Sequence, residues 1–575
     1  MTYKATSCYE NIAFWLEDTP WICQFNLLFH SMLSISRLFI FCNQLKEPLR
    51  KNKLFIVALM LCFGFSLIGA QWGKIEDWNL DQMAFKSVPN NLMVGNYLKP
   101  PLTTYVARLL VMNPVDCVMN GIFHAPTKLR LEVRVWGVRI LTILYLCITI
   151  ACVYISVLRC NGRTAASVIA LIMSTSAGFI LYTHYGTADM PVVFWMIASF
   201  AYTLYAVFSN RVWLAVVAGL LAGLATATKY NGLGVAVAIP VCFLAYHGSQ
   251  ALLKKNLWLA ALAVPVGFVL GCPGAIFDHT RFVQDFLYNL YTTPVYGGDI
   301  SRTGYEHFLI YIPDILGWPS SLLLLWGCIT SVFLLLLKRL KKDEFLLLVA
   351  SLSVFFFYFF TIGRFPRMEM RFVIPAVPFL IMAAAPAFSR MNKQFLMITL
   401  VPLLAYNLLC CSFVGWRFLN DPRMEACSWA EKNFKARDVI ESAYSPYWDD
   451  LISGVTVIHM PLFTGHTARF KKLFGDNSVI SKGLLEFDHD PSVEIFTSEA
   501  LKKRNPDYVT FSFFAIAFSG DSLVKQYYKD HILEKLGYHL AWQGKSWIPP
   551  QWAYPQAVDF IAPSMYILKK DKASN

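Results

Sequence analysis

The chain has 575 residues, 56% of them hydrophobic and 15% charged, with a mean hydropathy of +0.47. Soluble domains carry about a quarter charged residues, and a soluble core divides into domains as a chain lengthens; this composition therefore excludes a purely water-soluble protein and requires lipid to cover the remainder. Fifty Lys and Arg against 37 Asp and Glu leave a net charge of +13, an excess expected on cytoplasmic loops and at a site for an anionic lipid phosphate, with no nucleic acid as partner.

Residues 1–53 read as an N-terminal cytoplasmic or interfacial segment. Glu10, Glu17 and Asp18 precede any apolar stretch, so no cleavable signal peptide is expected. Phe25–Cys42 is apolar but interrupted by His30 and Arg37, as in an interfacial helix. The first clear span is Leu54–Ala70, and further apolar runs begin near Val138, Ala165, Pro191, Val212, Gly232, Leu257, Leu309, Phe345, Phe372 and Phe395. Each suits a hydrocarbon core that needs roughly 20 residues. The predicted fold class is a polytopic α-helical membrane protein with about eleven transmembrane helices, Lys229 breaking the stretch Val212–Tyr246 in two. Arg159, Arg163, Arg211, Lys254, Lys255, Lys338, Arg339, Lys341, Lys342, Arg390 and Lys393 fall on one side, which is cytoplasmic by the positive-inside rule. The alternation puts loops 71–134 and 277–307 outside, within a transmembrane domain of 54–416.

Residues 417–575 change character and predict a small extracytoplasmic α/β domain. Val439–Ser442, Val455–His459, Tyr508–Phe511 and Tyr566–Leu568 read as strands, and Leu523–Leu536 as an amphipathic helix. Most of the 14 cysteines lie in apolar runs and this segment holds only Cys427, which argues against a disulfide framework or a CxxC metal site.

Charged residues on the outer side are the candidates for chemistry. Glu76, Asp77 and Asp81 cluster after the first span; a carboxylate there can serve as a base or hold a metal, although solvated loop charges are commonplace. Lys99 precedes two prolines that stiffen the chain, and a fixed lysine suits a phosphate as a point charge; snorkelling to headgroups is the plainer role. Asp189 opens the fourth span with Pro191 two positions on, either as a helix N-cap or as a carboxylate facing a shared cavity. Lys229 between apolar runs is costly unless paired or wet. Arg364, Arg367 and Arg371 gather on the side opposite to the positive-inside bias; an anionic lipid phosphate would account for them, as would pairing with Glu369 or headgroups.

In order, these stretches resemble the GT-C superfamily of membrane glycosyltransferases, and within it the protein O-mannosyltransferase branch that includes aminoarabinose transferase. Asp81-Gln82 stands where the family has an acidic pair. Leu98-Lys99-Pro100-Pro101 matches Glu-Lys-Pro-Pro, Asp189-Met-Pro191 matches Asp-x-Pro, and Thr228-Lys229-Tyr230 matches a Thr-Lys element. Gly317-Trp-Pro319, the run Arg371–Phe379 and Asp421-Pro-Arg with Trp429 have counterparts as well. The similarity covers Leu54–Phe388 well and the tail weakly. Gln82 leaves a single carboxylate at that point, and Leu98 replaces the glutamate that helps bind metal in aminoarabinose transferases. No cofactor is therefore assigned; a divalent metal stays open, with His184, His279 and His307 as the remaining ligand candidates.

The resemblance implies a glycosyltransferase, a hexosyl- or pentosyltransferase of the cell envelope in a bacterial inner membrane. It would move a sugar from a polyprenyl- or dolichyl-phosphate donor to a lipid, glycan or protein acceptor on the periplasmic face, with inversion. Asp81 is the implied base, Asp189 its support, and Lys99, Lys229, Arg364 and Arg371 the phosphate cations; Glu76, Asp77 and His184 are further candidates. A transporter or flippase of a lipid-linked or anionic substrate is the main alternative, since charges in membranes also mark transport paths. A non-catalytic scaffold is the other. Convergence of the outer charges on one place favours the enzyme.

Overall fold

The computed structural model describes residues 52–73, 97, 99–292, 303–365, 368–443, 446, 448, 452–460, 493–517, 522–547 and 563–571. The expected helix Phe25–Cys42 and the carboxylates Glu76, Asp77 and Asp81 lie outside the described residues, as does Arg367.

Every apolar run expected from Leu54 to Phe395 falls in a helix. In chain order these are α1 (Lys53–Leu67), α2 (Leu102–Ala107), α3 (Thr127–Ser174), α4 (Ala177–His184), α5 (Asp189–Ser209), α6 (Val212–Thr228), α7 (Ala238–His247), α8 (Lys255–Gly271), α9 (His279–Thr292), α10 (Gly304–Leu316), α11 (Trp318–Leu336), α12 (Lys342–Ile362), α13 (Met370–Phe388) and α14 (Lys393–Leu419). Among the described residues seven helices are long and apolar enough to cross a membrane, and Lys53–Leu67, Val212–Thr228 and Lys255–Gly271 are shorter apolar ones. The chain is thus a multi-pass membrane protein. On α11 the residues Leu322, Leu325, Ile329, Phe333 and Leu336 are all more than half exposed at helical spacing, the stripe that lipid covers, while Ser320, Leu324, Gly327 and Ser331 turn inward.

Two glycines set boundaries that hydropathy leaves vague. Gly162 (φ 84°, ψ 178°) separates the two expected spans inside α3. Gly317 (φ 83°) splits the run beginning near Leu309 into α10 and α11, and Pro319 in the first turn starts the new helix. The first outer loop also holds unforeseen structure: α2 continues through π-turns Arg108–Met112 and Cys117–Ile122. Its Leu110, Ile122 and Phe123 are largely exposed. Its polar residues are too scattered to announce a helix by periodicity.

The two ends of the bundle differ in chemistry. Helix α5 is 21 residues long, or about 30 Å at 1.5 Å per residue. At its far end the Arg159 guanidinium stands 4.6 Å from the Phe208 ring and pairs with Asp343 at 2.9 Å. Arg390 pairs with Glu344 at 2.7 Å, and Lys342 lies 3.8 Å from the Tyr246 ring. Residues expected on one side of the membrane therefore do gather, and Asp189 opens the opposite end.

Helices α6 and α8 meet backbone to backbone. A Cβ on Gly219 would fall 2.0 Å from the Ala260 carbonyl, on Gly223 2.1 Å from that of Val264, and on Gly267 2.2 Å from that of Leu220. Small residues allow this approach, which replaces the missing hydrophobic drive between helices in lipid.

After α14 come α15 (Pro422–Asn433), β1 (Val439–Ala443), β2 (Thr456–His459), α16 (Ser498–Arg504), β3 (Tyr508–Ser512), α17 (Ser522–Ile532), β4 (Tyr538–Gly544) and β5 (Met565–Lys570). The sheet order is β2-β1-β3-β5-β4, with β1 parallel to β2 and β3, and β5 antiparallel to β3 and β4. The four expected strands are present and the expected helix ends earlier, at Ile532. Strand β4 went unread because only its end residues are buried and a bulge interrupts it between Leu540 and Trp542.

The C-terminal domain is fastened to the bundle through buried charge. Asp421 caps α15, accepts the Trp72 indole N–H at 2.7 Å and pairs with Arg423 at 2.7 Å, both side chains of that pair being fully buried. Arg423 and Arg139 stand 5.3 and 5.5 Å from the Trp72 ring. At the rim Trp547 packs on Trp416, with ring centroids 4.8 Å apart, and Arg417 donates to Ser546 at 3.1 Å. Within the domain Glu441 pairs with Arg504 at 2.7 Å and accepts the Tyr527 hydroxyl. Burial raises the Glu441 carboxyl, against the pull of Arg504.

Two predictions follow from packing and burial. Gly223→Leu must drive α6 off the Val264 carbonyl, whereas a Cβ on Gly64 meets nothing within 4 Å. In detergent, Gly223→Leu is expected to abolish a monodisperse peak or lower the melting temperature strongly, and Gly64→Ala to be neutral or slightly stabilising. His531 is fully buried, and neither ring nitrogen has a hydrogen-bond partner among the described residues. Burial, with Arg504 nearby and Asp530 opposing, lowers it to about 4. Because the folded value lies below the unfolded one, its stability is complete above about 6.5 and declines as pH falls toward 4, by roughly 3 kcal/mol. Melting curves across that range should show a slope that His531→Phe flattens.

Candidate active site

The site begins where α6 stops. Lys229 is extended (φ −156°, ψ 131°) and caps the helix, its N–H bonding the Ala225 carbonyl at 3.0 Å. Gly232 lets the chain turn: a Cβ there would lie 2.4 Å from the Ala225 oxygen. The Lys229 ammonium therefore leaves the helix axis and reaches Asp189, at 2.7 Å. Asp189 is the first residue of α5, and its carboxylate is not spent on capping. Its second oxygen accepts the Thr187 hydroxyl at 2.7 Å. The carboxylate is therefore paired with Lys229 and does not cap the helix.

Arg371 enters from the first turn of α13, with its Nε 2.6 Å from Glu369. The Phe372 ring lies 5.1 Å from the Lys229 nitrogen and 5.4 Å from the Arg371 guanidinium, so one aromatic ring adjoins both cations. Asp189 is within electrostatic reach of Arg371 as well as Lys229, and Tyr182 of α4 is within reach of Asp189, Arg371 and Glu369. Lys99 joins from the first outer loop, just before α2. It is exposed, yet protein atoms crowd it and Arg371 and Lys229 repel it; these push its ammonium down to about 7, against the pull of Asp189 and Glu369.

Lys99, Lys229, Arg371 and Asp189 are thus brought together from four separate segments. Three cations against two carboxylates leave one positive charge among these five groups. Arg364 is exposed, 5.2 Å from the Phe365 ring, and among the described residues it makes no ion pair with the cluster. His184 is buried; its two ring nitrogens lie 2.8 Å from the carbonyls of Ile180 and Ile68, and it stacks on Phe418. Among the described residues no three His, Cys, Asp or Glu side chains converge as metal ligands.

Sequence reasoning overlooked Tyr182 and Thr187, which lie inside the stretch that ends in Asp189. It weighed Glu369 only as a neutralising partner. Two-residue spacing to Asp189 and Arg371 was the available signal.

Residues 122–272 match the family model described as dolichyl-phosphate-mannose-protein mannosyltransferase. Asp189 and Lys229 lie in that segment. No curated protein matches the chain significantly. Among solved structures, the chain is similar to ArnT from Cupriavidus metallidurans bound to undecaprenyl phosphate, at 12% identity over 89% of this chain and 97% of that one, with a TM-score of 0.51. The apo form of the same protein gives 14% identity, the same coverage and a TM-score of 0.52. The Archaeoglobus fulgidus oligosaccharyltransferase complexed with zinc and sulfate gives 13% identity over 82% of this chain and 70% of that one, at 0.45. The ArnT likeness shows the fold. With the family-model match it bears out the expected resemblance to the GT-C superfamily, and the chain is an integral, multi-pass, GT-C-like membrane protein with a small C-terminal α/β sheet region.

The ion pair gives a direct test. Breaking a buried pair from one side strands the other charge, at a cost on the order of 3 kcal/mol, whereas removing both is far milder. Asp189→Asn and Lys229→Met are each expected to lower the melting temperature, and the double variant to recover much of the loss. Additive losses would show that the pair does not act as a unit.

Proposed function

We propose that this GT-C-like membrane protein is a glycosyltransferase that takes its sugar from a polyprenyl-phosphate-linked donor at the outer face of the membrane. The convergence of Lys99, Lys229 and Arg371 at one end of the bundle carries this reading. These cations come from separate segments and sit opposite the end where Arg159 and Arg390 gather. Cations held at a membrane surface suit a phosphate anchored by a lipid tail. The undecaprenyl phosphate bound by ArnT, a protein of the same fold, supports that ligand class.

In this mechanism an acceptor hydroxyl or amine attacks the anomeric carbon. The bond from that carbon to the phosphate oxygen breaks, and the lipid phosphate leaves from the opposite face, inverting the centre. The acceptor proton passes to Asp81. As the bond breaks, negative charge grows on the phosphate, where Lys99, Lys229 and Arg371 meet it. Preorganised charge of this kind typically contributes about 3 kcal/mol or more per donor. Asp189 holds Lys229 in place, and in this reading the C-terminal domain lies on the outer side.

With a polyprenyl-phosphate sugar and purified protein, Asp81→Asn is expected to abolish turnover while donor binding persists; wild-type turnover would remove Asp81 as the base. Lys99→Ala is expected to raise the KM for donor more than that for acceptor. The low Lys99 value adds a pH signature: the ammonium is charged below about 7, so donor affinity is highest there and falls as pH rises. Lys99→Arg is expected to remove that decline, because a guanidinium stays charged.

A further inference from the structure

Lys99 lies in a loop, yet a phosphate cation has to be held to within a fraction of an ångström. What holds it is visible two residues earlier. Tyr97 is fully buried, and its main chain is gripped from both sides. Its N–H donates to the Asp285 carboxylate at 2.7 Å, and its carbonyl accepts the Tyr230 hydroxyl at 2.6 Å. Asp285, itself 1% exposed, sits on α9 and is steadied by Arg281 at 3.1 Å. Tyr230 directly follows Lys229. The Tyr97 ring meets Phe282 edge-on, at 5.9 Å between centroids, and fills the space over Gly274, where a Cβ would come 1.9 Å from its hydroxyl. On the far side of Lys99, Pro100 and Pro101 limit the backbone before α2 begins.

We infer that Asp285 and Tyr230 are positioning residues for the lipid-phosphate site: by tying down both main-chain polar groups of Tyr97 they fix Lys99 beside Lys229 and Arg371. This rests on the reading of Lys99 as a phosphate cation. Neither residue touches the phosphate. Asp285 acts through a main-chain N–H, a charge-assisted bond that leaves a buried amide unpaired when it is lost. Tyr230 couples the register of Lys99 to that of its neighbour Lys229, so one tie aligns two cations. The second outer loop, through α9, thereby becomes part of the donor grip of the first.

The test uses full-length protein in nanodiscs, undecaprenyl phosphate as the probe, and thermal melting to confirm folding. Lys99→Ala, Asp285→Ala and Tyr230→Phe are each expected to weaken binding about tenfold, the size of one buried charge-assisted hydrogen bond. Asp285→Asn keeps an oxygen for the Tyr97 N–H and is expected to restore most of the affinity. The deciding variant is Lys99→Ala with Asp285→Ala: if Asp285 acts through Lys99, the double variant binds no worse than Lys99→Ala alone. Independent, multiplied losses would overturn the inference, as would wild-type binding by Asp285→Ala and Tyr230→Phe when Lys99→Ala binds weakly. Should Asp285→Ala fail to fold, Tyr230→Phe, which deletes one hydroxyl, carries the same comparison. Wild-type binding by Lys99→Ala would instead overturn the phosphate reading, and this inference with it.

Discussion

A lysine between apolar helices is costly to keep charged unless an anion or water stands beside it. In this protein Asp189, 2.7 Å from Lys229, supplies that anion. Much of the site's geometry depends on the pair. To reach Asp189 the chain leaves α-helical geometry at Lys229, and that departure frees the segment that follows to reach the first outer loop through Tyr230. The same carboxylate lies within electrostatic reach of Arg371, so the head of α13 is tied to the head of α5 and the end of α6. Because the groups are partly shielded from water, each charge is felt by its neighbours more strongly than it would be on a soluble surface.

A second buried ion pair does different work. Asp421 and Arg423 are fully enclosed where the last membrane helix gives way to the C-terminal domain, and the Trp72 indole binds the same carboxylate. Trp72 ends the described part of the chain after α1 and leads into the segment that bears Glu76, Asp77 and Asp81. The joint between the membrane bundle and the C-terminal sheet region is thus also the root of the loop that follows α1. Both buried pairs sit at the same end of the molecule as the exposed cation Lys99, while the other end is stitched by partly exposed pairs such as Arg159 with Asp343, which contribute little stability.

The membrane architecture was legible in the sequence because lipid imposes one rule on every span: a long apolar run with its backbone satisfied internally. Hydropathy located the long apolar helices from Leu54 onward but neither the loop helices α2 and α9 nor the glycine breaks at Gly162 and Gly317, since a positive φ leaves no trace in hydrophobicity. In the C-terminal domain the buried strands β1 and β3 were readable, and the half-buried β4 was not. At the site, Lys99, Lys229, Arg371 and Asp189 stood out because a charge beside an apolar run asks for an explanation. Asp285 did not, being one acid in a polar amphipathic stretch whose partner lies 188 positions away. The resemblance to GT-C enzymes ordered the charges, and only coordinates could show which of them meet.

The turn after Lys229 also changes how far the chain travels. Tyr230–Val237 is a run of eight residues in 3-10 geometry, longer than such runs usually last. At about 2.0 Å per residue it climbs about 16 Å, where an α-helix would climb about 12. The ten residues of α7 add about 15 Å, so 18 residues cover a hydrocarbon thickness of about 30 Å that would otherwise take about 20. The stretched segment works as a spacer between Lys229 with Tyr230 at one end of the bundle and His247 toward the other. Inserting or deleting a residue there would shift Lys229 and Tyr230 along the bundle axis relative to Asp189 and the first loop.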